Sequence, residues 1–367
     1  MALRALAEVN VAAIERNVSR LCGVLSEGTQ MCAVVKADGY GHGALAAAEA
    51  ALRGGASRLA VAAAQEALEL DSFGVPILVM GALTVEELAL LPAQAEVVAW
   101  SEEFVAQLGD RAAKVHVKLD TGMGRLGTRE LDQALEVAEL VEDAPALELV
   151  GAMTHFATAD EDPEFLAAQR AAFTPFIERL KNRRPGLIAH AANSAATLTA
   201  RESHYDMVRC GIAIYGCDPM NREPAAWGLE PALALHSYVA AVKPARAGDS
   251  AGYGRRFVAD RDTRIATVPI GYGDGLQRAF SDNCEVLIRG RRHPLVGAVS
   301  MDNITVDLGP ETDVEVGDRA TIVGADGDER QTAEDLARRV GTISYEIVCG
   351  VSKRVPRAYR RDEAPPG

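Results

Sequence analysis

The stretch Met31-Cys-Ala-Val-Val-Lys-Ala-Asp-Gly-Tyr-Gly-His-Gly-Ala44 joins a short apolar strand to a glycine-rich turn. The residues from Met31 to Val35 predict one buried strand, which Lys36 closes. Burying an ammonium group without a partner is costly. A lysine here indicates an amine held at the mouth of a sheet or barrel, where it can react covalently. A lysine that extends from the strand end into solvent is equally consistent with this stretch alone.

Short apolar stretches alternate with amphipathic helical patterns, beginning with a helix over 11–25 that Asn10 can cap. Parallel strands covered on both faces are apolar along their length. Eight β/α units in about 230 residues predict an α/β fold with a TIM-like (β/α)8 barrel. A doubly wound open sheet is the alternative, but its Gly-x-Gly-x-x-Gly pattern is missing after the first strand. The predicted strands are 31–36, 58–62, 76–80, 96–100, 114–119, 147–154, 187–190 and 205–209.

The sequence pattern changes near Pro231, where strand-like alternation begins to dominate. We therefore predict a barrel domain over residues 1–230, a mainly β domain over 231–361, and a disordered tail over 362–367. The second domain has predicted strands over 233–242, 264–271, 284–290 and 304–308, and a helix over 333–340 capped by Thr332.

Composition excludes several classes of protein. A formal net charge of -14 argues against nucleic acid or an anionic membrane surface as a partner. No apolar run approaches the ~20 residues that cross a bilayer, and the N-terminus lacks the apolar region of a signal peptide. The six cysteines have no paired spacing, and the histidines have no metal-ligand spacing. We predict a soluble, reduced, cytoplasmic protein without a metal.

Polar residues follow the predicted strands at the points where the strands end, which is where barrels place their chemistry. Taken singly, His155 is consistent with a structural histidine, Arg125 with a surface arginine and Ser194 with a helix cap. Their coincidence at one rim favours a functional site, with a phosphate site after the seventh and eighth strands. The rim residues are Lys36, Lys118, Asp120, Arg125, His155, Asn193, Ser194, Arg209, Gly211 and Ile212.

The second domain also contains candidate site residues. Tyrosines flanked by glycine lie in loops whose backbone can approach a ligand closely. Plain turn tyrosines are an equally good interpretation of each one. The segments are Gly252-Tyr253-Gly254, Gly271-Tyr272-Gly273, Ser300-Met301-Asp302 and Ser344-Tyr345-Glu346.

Taken in order, several motifs resemble bacterial alanine racemases, which are pyridoxal-phosphate enzymes of fold type III. The resemblance covers essentially the whole chain, including a barrel followed by a β domain. Gly39 departs from the alanine usual in the family, and Ser300 from a common cysteine. The motifs are Ala33-Val-Val-Lys-Ala-Asp-Gly-Tyr-Gly-His-Gly43, Lys118-Leu-Asp-Thr-Gly-Met-Gly-Arg-Leu-Gly127, His155-Phe156, Ala192-Asn-Ser194, Val208-Arg-Cys-Gly-Ile-Ala-Ile-Tyr-Gly216, Gly252-Tyr-Gly254, Ser300-Met-Asp302 and Ser344-Tyr-Glu346.

The resemblance implies a role for each matching residue. Lys36 is implied to attach pyridoxal phosphate covalently and to act as one acid/base. Tyr253 is implied to act as the other, entering the site of the partner subunit in a homodimer with shared active sites. The implied phosphate contacts are Tyr40, Ser194, Gly211, Ile212 and Tyr345, and Asn193 is grouped with them as cofactor-binding.

The remaining implied roles concern the ring nitrogen and the substrate. Arg209 is implied to face the pyridine nitrogen, and His155 to bridge Arg209 to Tyr253. Arg125 and the backbone of Met301 are implied to contact the substrate carboxylate. The other implied residues are Lys118, often carbamylated so that it orients Arg125, together with Asp302 and Tyr272.

The implied function is interconversion of L- and D-alanine by two bases, which supplies D-alanine for peptidoglycan. A tyrosine base near pH 8 needs its pKa lowered by about two units from the usual value of about 10. Arg209, acting through His155, is a source of that shift. A serine or broad-specificity racemase of the same fold is the alternative. A non-catalytic pyridoxal-phosphate protein would share the strand-end lysine but lack the β domain and the Gly252-Tyr-Gly254 segment.

Overall fold

The structure, a computed structural model, describes residues 3–362 and divides into two compact units. One unit comprises residues 14–40 and 44–214. The other takes the N-terminal residues up to 13, residues 41–43, and the chain from 215 onward. Of the tail predicted over 362–367, only Asp362 is described, and it forms an ion pair with Arg360 at 2.9 Å. The rest of that prediction lies outside the described residues.

Eight parallel strands close into a barrel, as predicted. Each strand pairs with the next along the chain, and the eighth pairs with the first through Gln30 and Met207. All carboxyl ends therefore meet at one rim. The barrel strands are Gln30–Val34, Arg58–Val61, Ile77–Val79, Ala95–Ala99, Ala113–Lys118, Leu147–Met153, Ile188–His190 and Met207–Cys210.

Amphipathic helices precede and connect these strands, and their starts follow local capping chemistry. Asn10 accepts a hydrogen bond from the Ala13 N–H at 3.3 Å and begins the predicted first helix. Asp162 caps the longest helix by accepting from the Phe165 N–H at 3.0 Å. The helices are Val11–Val24, Ala44–Arg53, Ala64–Glu69, Val85–Leu88, Glu102–Leu108, Leu131–Asp143, Pro163–Arg183 and Ser194–Thr199.

The barrel interior is not wholly apolar, which corrects the expectation of fully apolar strands. Glu96, His116, His190 and Arg209 lie on four different strands and are all buried. Buried polar groups are tolerated when they are hydrogen-bonded. These four side chains bond to one another or to backbone carbonyls.

The second unit is built on a mixed sheet. The predicted helix Ala333–Val340 is confirmed, with Thr332 as its cap, and a second helix, Ser344–Gly350, was missed. Ser250–Ala251 and Phe257–Val258 form a separate strand pair. The sheet order is Ala241–Ala245, Thr263–Val268, Ile304–Asp307, Arg291–Val296, Glu285–Ile288, Arg319–Asp326, Leu233–Tyr238, Leu6–Asn10 and Arg357–Arg360, with Glu329–Gln331 paired to Arg319–Asp326.

The strand Leu6–Asn10 belongs to this sheet and not to the barrel, so the unit boundary differs from the prediction of one barrel domain over 1–230. It pairs antiparallel with Leu233–Tyr238 and parallel with Arg357–Arg360. These partners are hundreds of residues away, and a five-residue pattern cannot indicate them. The single strand predicted over 233–242 is also interrupted, because a second strand begins at Ala241.

Residues 3–362 contain no membrane-spanning helix, no disulfide and no metal-binding cluster. None of the described helices is long and apolar enough to cross a bilayer. None of the six cysteines, which all lie within the described residues, forms a disulfide. No group of three or more histidine, cysteine, aspartate or glutamate side chains in these residues is arranged to hold a metal ion.

Candidate active site

Lys36 stands on a turn of unusual backbone conformation. The first barrel strand ends at Val34, so Lys36 follows the strand and does not close it as predicted. A left-handed turn costs roughly 1–2 kcal/mol for each residue that carries a Cβ. Strain of this kind persists only where other contacts hold it, and it concentrates at functional sites. The φ angles are 53° at Ala37, 54° at Asp38, 60° at Gly39 and 52° at Tyr40.

The Glu66 carboxylate holds the lysine turn. Its Oε1 accepts a hydrogen bond from the Ala37 N–H at 2.6 Å. Its Oε2 accepts from the N–H groups of Ala62 and Ala63 at 2.9 and 3.2 Å. Because Ala62 directly follows the second barrel strand, one carboxylate ties the turn to the neighbouring strand end.

Tyr40, Ser194 and Gly211 meet at one place on the rim. The Ser194 Oγ accepts hydrogen bonds from the N–H groups of Gly211 and Ala213 at 3.0 and 3.3 Å. A Cβ on Gly211 would lie 2.4 Å from the Tyr40 hydroxyl oxygen, so only glycine leaves room for Tyr40. Ile212 follows and is buried. The structure thus brings together residues that follow the first, seventh and eighth strands.

Asn193 caps the short helix Ser194–Thr199. Its Oδ1 accepts a hydrogen bond from the Ala196 N–H at 3.0 Å. The capping role that the sequence allowed for Ser194 therefore belongs to Asn193, and Ser194 is the first helical residue. The cofactor contact predicted for Asn193 stays a prediction.

The Arg209 guanidinium is buried among acceptors. Its Nη2 donates to the carbonyls of Thr154 and Ala191 at 2.9 Å each and to His155 Nδ1 at 3.2 Å. Its Nη1 donates to His190 Nδ1 at 2.7 Å. Burial lowers the pKa of Arg209 to about 10, so the group is cationic at neutral pH. The buried Nε has no hydrogen-bond partner within residues 3–362, which is rare for a buried polar group.

His155 is a neutral imidazole with its proton on Nε2. Since a guanidinium can only donate, His155 Nδ1 must be the acceptor in their contact. Burial and then the Arg209 charge hold the pKa of His155 well below its ordinary value. The structure contains the Arg209–His155 half of the predicted bridge, and the half that would reach Tyr253 stays a prediction.

Asp120 shapes the glycine-rich loop after the fifth barrel strand. Its Oδ1 accepts from the N–H groups of Gly122 and Met123 at 3.0 and 2.7 Å, and its Oδ2 from that of Gly124 at 2.8 Å. One buried carboxylate therefore fixes three successive amides. Arg125 follows immediately and is exposed.

Lys118, the last residue of the fifth strand, is only 4% exposed. Burial, followed by the charges of Arg125 and Arg209, lowers the pKa of its ammonium to about 8, and Asp120 acts in the opposite direction. At pH 8, the Lys118 side chain is therefore a neutral amine in a large fraction of the molecules. That is the form in which an amine is nucleophilic.

Tyr253 lies on the second unit and is 74% exposed. It follows Gly252, whose φ is 76°, and precedes Gly254, whose φ is 70°. Tyr345 lies near the start of the helix Ser344–Gly350 and is half-buried. The surroundings of Tyr253 and Tyr345 in the assembled site stay predictions.

The loops that carry Tyr272 and Met301 are joined by backbone hydrogen bonds. The Tyr272 N–H donates to the Ser300 carbonyl at 3.0 Å, and the Gly273 N–H to the Met301 carbonyl at 2.9 Å. Tyr272 and Met301 are both exposed. The next residue, Asp302, accepts a hydrogen bond from Arg354 at 2.5 Å.

The sequence motifs do not identify two sets of residues, Glu66 at this rim and a buried group inside the barrel. Glu66 follows a strand by five positions and reads as an ordinary helical residue. The buried His116 and His190 show no metal-ligand spacing, and Glu96 lies in a predicted strand. Charged and imidazole groups inside otherwise apolar barrel strands were the signal that could have identified the second set.

The closed barrel and the polar groups at its carboxyl rim place the chain among the (β/α)8-barrel enzymes. A family model described as "Alanine racemase, N-terminal domain" matches residues 9–219, and one described as "Alanine racemase, C-terminal domain" matches 232–359. An alanine racemase from Nostoc sp. is 40% identical, over 96% of this chain and 95% of its own length.

Solved structures agree with those matches. An alanine racemase from E. faecalis superposes with a TM-score of 0.91 at 36% identity, covering 97% of this chain and 98% of that one. One from Bacillus anthracis with bound L-Ala-P superposes at 0.90 with 37% identity, covering 99% and 96%. The chain belongs to the alanine racemase family, and it is an isomerase.

Proposed function

We propose that this chain interconverts L- and D-alanine with bound pyridoxal 5'-phosphate, in the cytoplasm, supplying D-alanine for peptidoglycan. The observation that carries the proposal is the buried Arg209 Nε, which has no partner within residues 3–362 and lies at the rim that also carries Lys36. The relatives bear the name alanine racemase at about 40% identity over nearly the whole chain. Six cysteines that form no disulfide within residues 3–362 suit a reducing compartment.

The rim residues fit this cofactor. The phosphate would be held at the place where Tyr40, Ser194 and Gly211 meet, with Ile212 and Tyr345 as further contacts. The cofactor ring would satisfy the Arg209 Nε through its nitrogen, and the Lys36 amine would hold its carbonyl carbon. When bound, pyridoxal phosphate supplies the electron sink that makes the alanine Cα hydrogen acidic.

Racemisation needs one proton-transfer group on each side of the Cα atom, because a proton leaves one face and another arrives at the opposite face. Lys36 would serve one face. Tyr253 of the partner subunit would serve the other, in a homodimer with two shared sites. The high exposure of Tyr253, beside the exposed Tyr272 and Met301, fits a surface that a second subunit covers.

Arg209 would set the electronic character of the site. Its guanidinium only donates and keeps its proton, so a ring nitrogen facing it stays unprotonated. A ring held in this way would accept less negative charge than one beside a carboxylate, which would favour reprotonation at Cα over transamination. This favours a racemase over an aminotransferase.

Replacing Gly211 with alanine is expected to weaken cofactor affinity at least tenfold, because the new Cβ would lie 2.4 Å from the Tyr40 hydroxyl and displace it. Such a loss corresponds to about one charge-assisted hydrogen bond. Titration of the apoprotein with pyridoxal phosphate measures it. Gly186→Ala is the matched control, since a Cβ there meets no atom within 4 Å. Equal cofactor affinity of the two variants would contradict a phosphate site where Tyr40, Ser194 and Gly211 meet.

Lys118 is expected to carry a carbamate that orients Arg125 toward the substrate carboxylate. Only the neutral amine reacts with carbon dioxide, so carbamylation should rise as pH increases through about 8, the pKa of Lys118. ¹³C NMR with labelled bicarbonate measures the adduct. Lys118→Ala should remove the signal and raise the KM for alanine several-fold. A signal that persists in that variant would assign the carbamate elsewhere.

The activity itself is tested by adding L-alanine to the holoprotein and following D-alanine, with L-serine in parallel. We expect D-alanine to form and serine to react more slowly. A single hydroxyl changes discrimination by only about 1–3 kcal/mol, so faster serine turnover would favour the serine or broad-specificity racemase. No turnover of either substrate by cofactor-loaded protein would favour the non-catalytic alternative, although the matched C-terminal domain argues against it.

A further inference from the structure

A continuous hydrogen-bonded chain runs through the barrel interior from Arg209 to the opposite end of the strands. Arg209 Nη1 contacts His190 Nδ1 at 2.7 Å, and His190 Nε2 contacts His116 Nδ1 at 2.8 Å. His116 Nε2 contacts Glu96 Oε2 at 3.0 Å. Arg58, at the start of the second barrel strand, forms an ion pair with the other oxygen of Glu96.

The direction of every hydrogen bond follows from the groups at the two ends of the hydrogen-bonded chain. Arg209 can only donate, so His190 Nδ1 accepts and the His190 proton lies on Nε2. His190 therefore donates to His116 Nδ1, and the His116 proton also lies on Nε2. His116 then donates to Glu96, which can only accept when ionised. Every hydrogen bond is therefore donated in the same direction, from Arg209 toward the Glu96 carboxylate.

The ionisation states needed for this polarity are those that the environment favours. Burial lowers the pKa of His116 and holds that of His190 well below its ordinary value, so both rings are neutral. Burial acts to raise the pKa of Glu96, but its contacts with His116 and Arg58 outweigh burial and leave that pKa lowered. The carboxylate is therefore ionised although its side chain is only 2% exposed.

The hydrogen-bonded chain can compensate the buried positive charge of Arg209. Arg209 is a buried cation whose hydrogen-bond acceptors are carbonyls and imidazoles. A buried charge is costly unless it is paired. The hydrogen bonds from Arg209 lead through two imidazoles to the Glu96 carboxylate. Glu96 also forms an ion pair with Arg58.

We propose that Glu96 is a positioning residue for Arg209: by accepting from His116 it fixes both histidines as Nε2–H tautomers, which leaves His190 Nδ1 as the acceptor that aims the guanidinium. The consequence for the cofactor rests on the proposed function, because it assumes that Arg209 faces the ring nitrogen. The tautomers themselves do not depend on the cofactor and are measurable in apoprotein.

Histidine ¹⁵N–¹H correlation spectra of the apoprotein test the tautomers directly, with His116 and His190 assigned by single His→Asn variants. Both rings are expected to be neutral, with the proton on Nε2, at neutral pH. A proton on Nδ1 of His190, or a charged ring at either position, would overturn the proposal. This measurement uses the unaltered glutamate and does not depend on the folding of any Glu96 variant.

The variant Glu96→Gln tests whether the carboxylate is the cause. His116 and Arg58 contact different oxygens of Glu96, and in glutamine one of those two positions is an NH₂ group, which cannot accept. We therefore expect the shifts of both rings to move toward a mixture of tautomers. Cofactor affinity should fall about tenfold, the effect of losing one charge-assisted hydrogen bond. Glu148→Gln removes the same charge from an exposed site at the same end of the barrel and should change neither property.

The outcomes separate this inference from the proposed function. Unchanged ring shifts in Glu96→Gln would overturn the positioning role even if the chain racemises alanine. Unaltered protein that does not bind pyridoxal phosphate would overturn the proposed function, whatever the tautomers are. Altered shifts together with unchanged cofactor affinity would overturn the link between Glu96 and the aim of Arg209.

Discussion

Lys36→Ala is expected to lower the rate of alanine racemisation at least about 10⁴-fold and to abolish the visible absorbance of bound cofactor. The substitution removes both the amine that holds the cofactor and one of the two proton-transfer groups. Loss of a positioned acid/base group alone costs about 10²–10⁴-fold. The left-handed turn should survive, because Glu66 holds it through the Ala37 backbone. Absorbance and turnover measured on the same sample test both effects.

Lys114→Ala is the matched control for that experiment. Lys114 lies on the fifth barrel strand near the opposite end of the barrel and is exposed. The control should keep absorbance and rate near those of the unaltered protein. A Lys36→Ala variant that kept the visible absorbance would remove Lys36 from its proposed role.

Tyr253→Phe is expected to lower racemisation by about 10²–10⁴-fold, because one face of Cα loses its proton-transfer group. The loss in kcat/KM must be equal in both directions, since the enantiomers have the same free energy and the equilibrium constant is 1. Exchange of the Cα hydrogen with solvent should distinguish the faces. We assign Tyr253 to L-alanine and Lys36 to D-alanine, so D-alanine should still exchange through Lys36, whereas L-alanine should not. NMR of each enantiomer in D₂O measures this.

Tyr238→Phe, at a half-buried strand end of the same unit, is the control and should leave both exchange rates unchanged. Continued exchange of L-alanine in Tyr253→Phe would contradict the assignment of Tyr253. Mixing Lys36→Ala and Tyr253→Phe subunits tests the shared site, because a heterodimer would regain one intact site. Two variants that stay inactive after subunit exchange would place both groups of each site in one subunit.

Local chemistry explains why much of this fold could be predicted from the sequence. Caps such as Asn10 and Thr332 mark helix starts within three or four residues, and their bonds are present. The barrel strands are short apolar segments between helical patterns, so their number and order follow from periodicity. The strand Leu6–Asn10 could not be predicted in the same way, because its partners come from the far end of the chain.

The candidate site also contains some residues that local patterns predict and others that depend on contacts between distant parts of the sequence. Residues that follow strand ends, such as Ser194 and Gly211, could be predicted because a barrel gathers strand ends at one rim. The turn at Lys36 could not, since alanine rarely adopts a left-handed conformation and a distant residue, Glu66, helps to hold the turn. The link from Glu96 to Arg209 requires side chains from several strands to meet inside the barrel, which no local pattern records.

Racemisation of L-alanine in D₂O tests the central claim, that two groups work on opposite faces of Cα. The D-alanine formed at low conversion is analysed by mass spectrometry together with the remaining L-alanine. Two groups, each equilibrated with solvent, predict deuterium at Cα of nearly all the D-alanine, while the remaining L-alanine keeps protium. D-alanine that retained the substrate's protium would show that a single group carries the proton across, and would contradict the account.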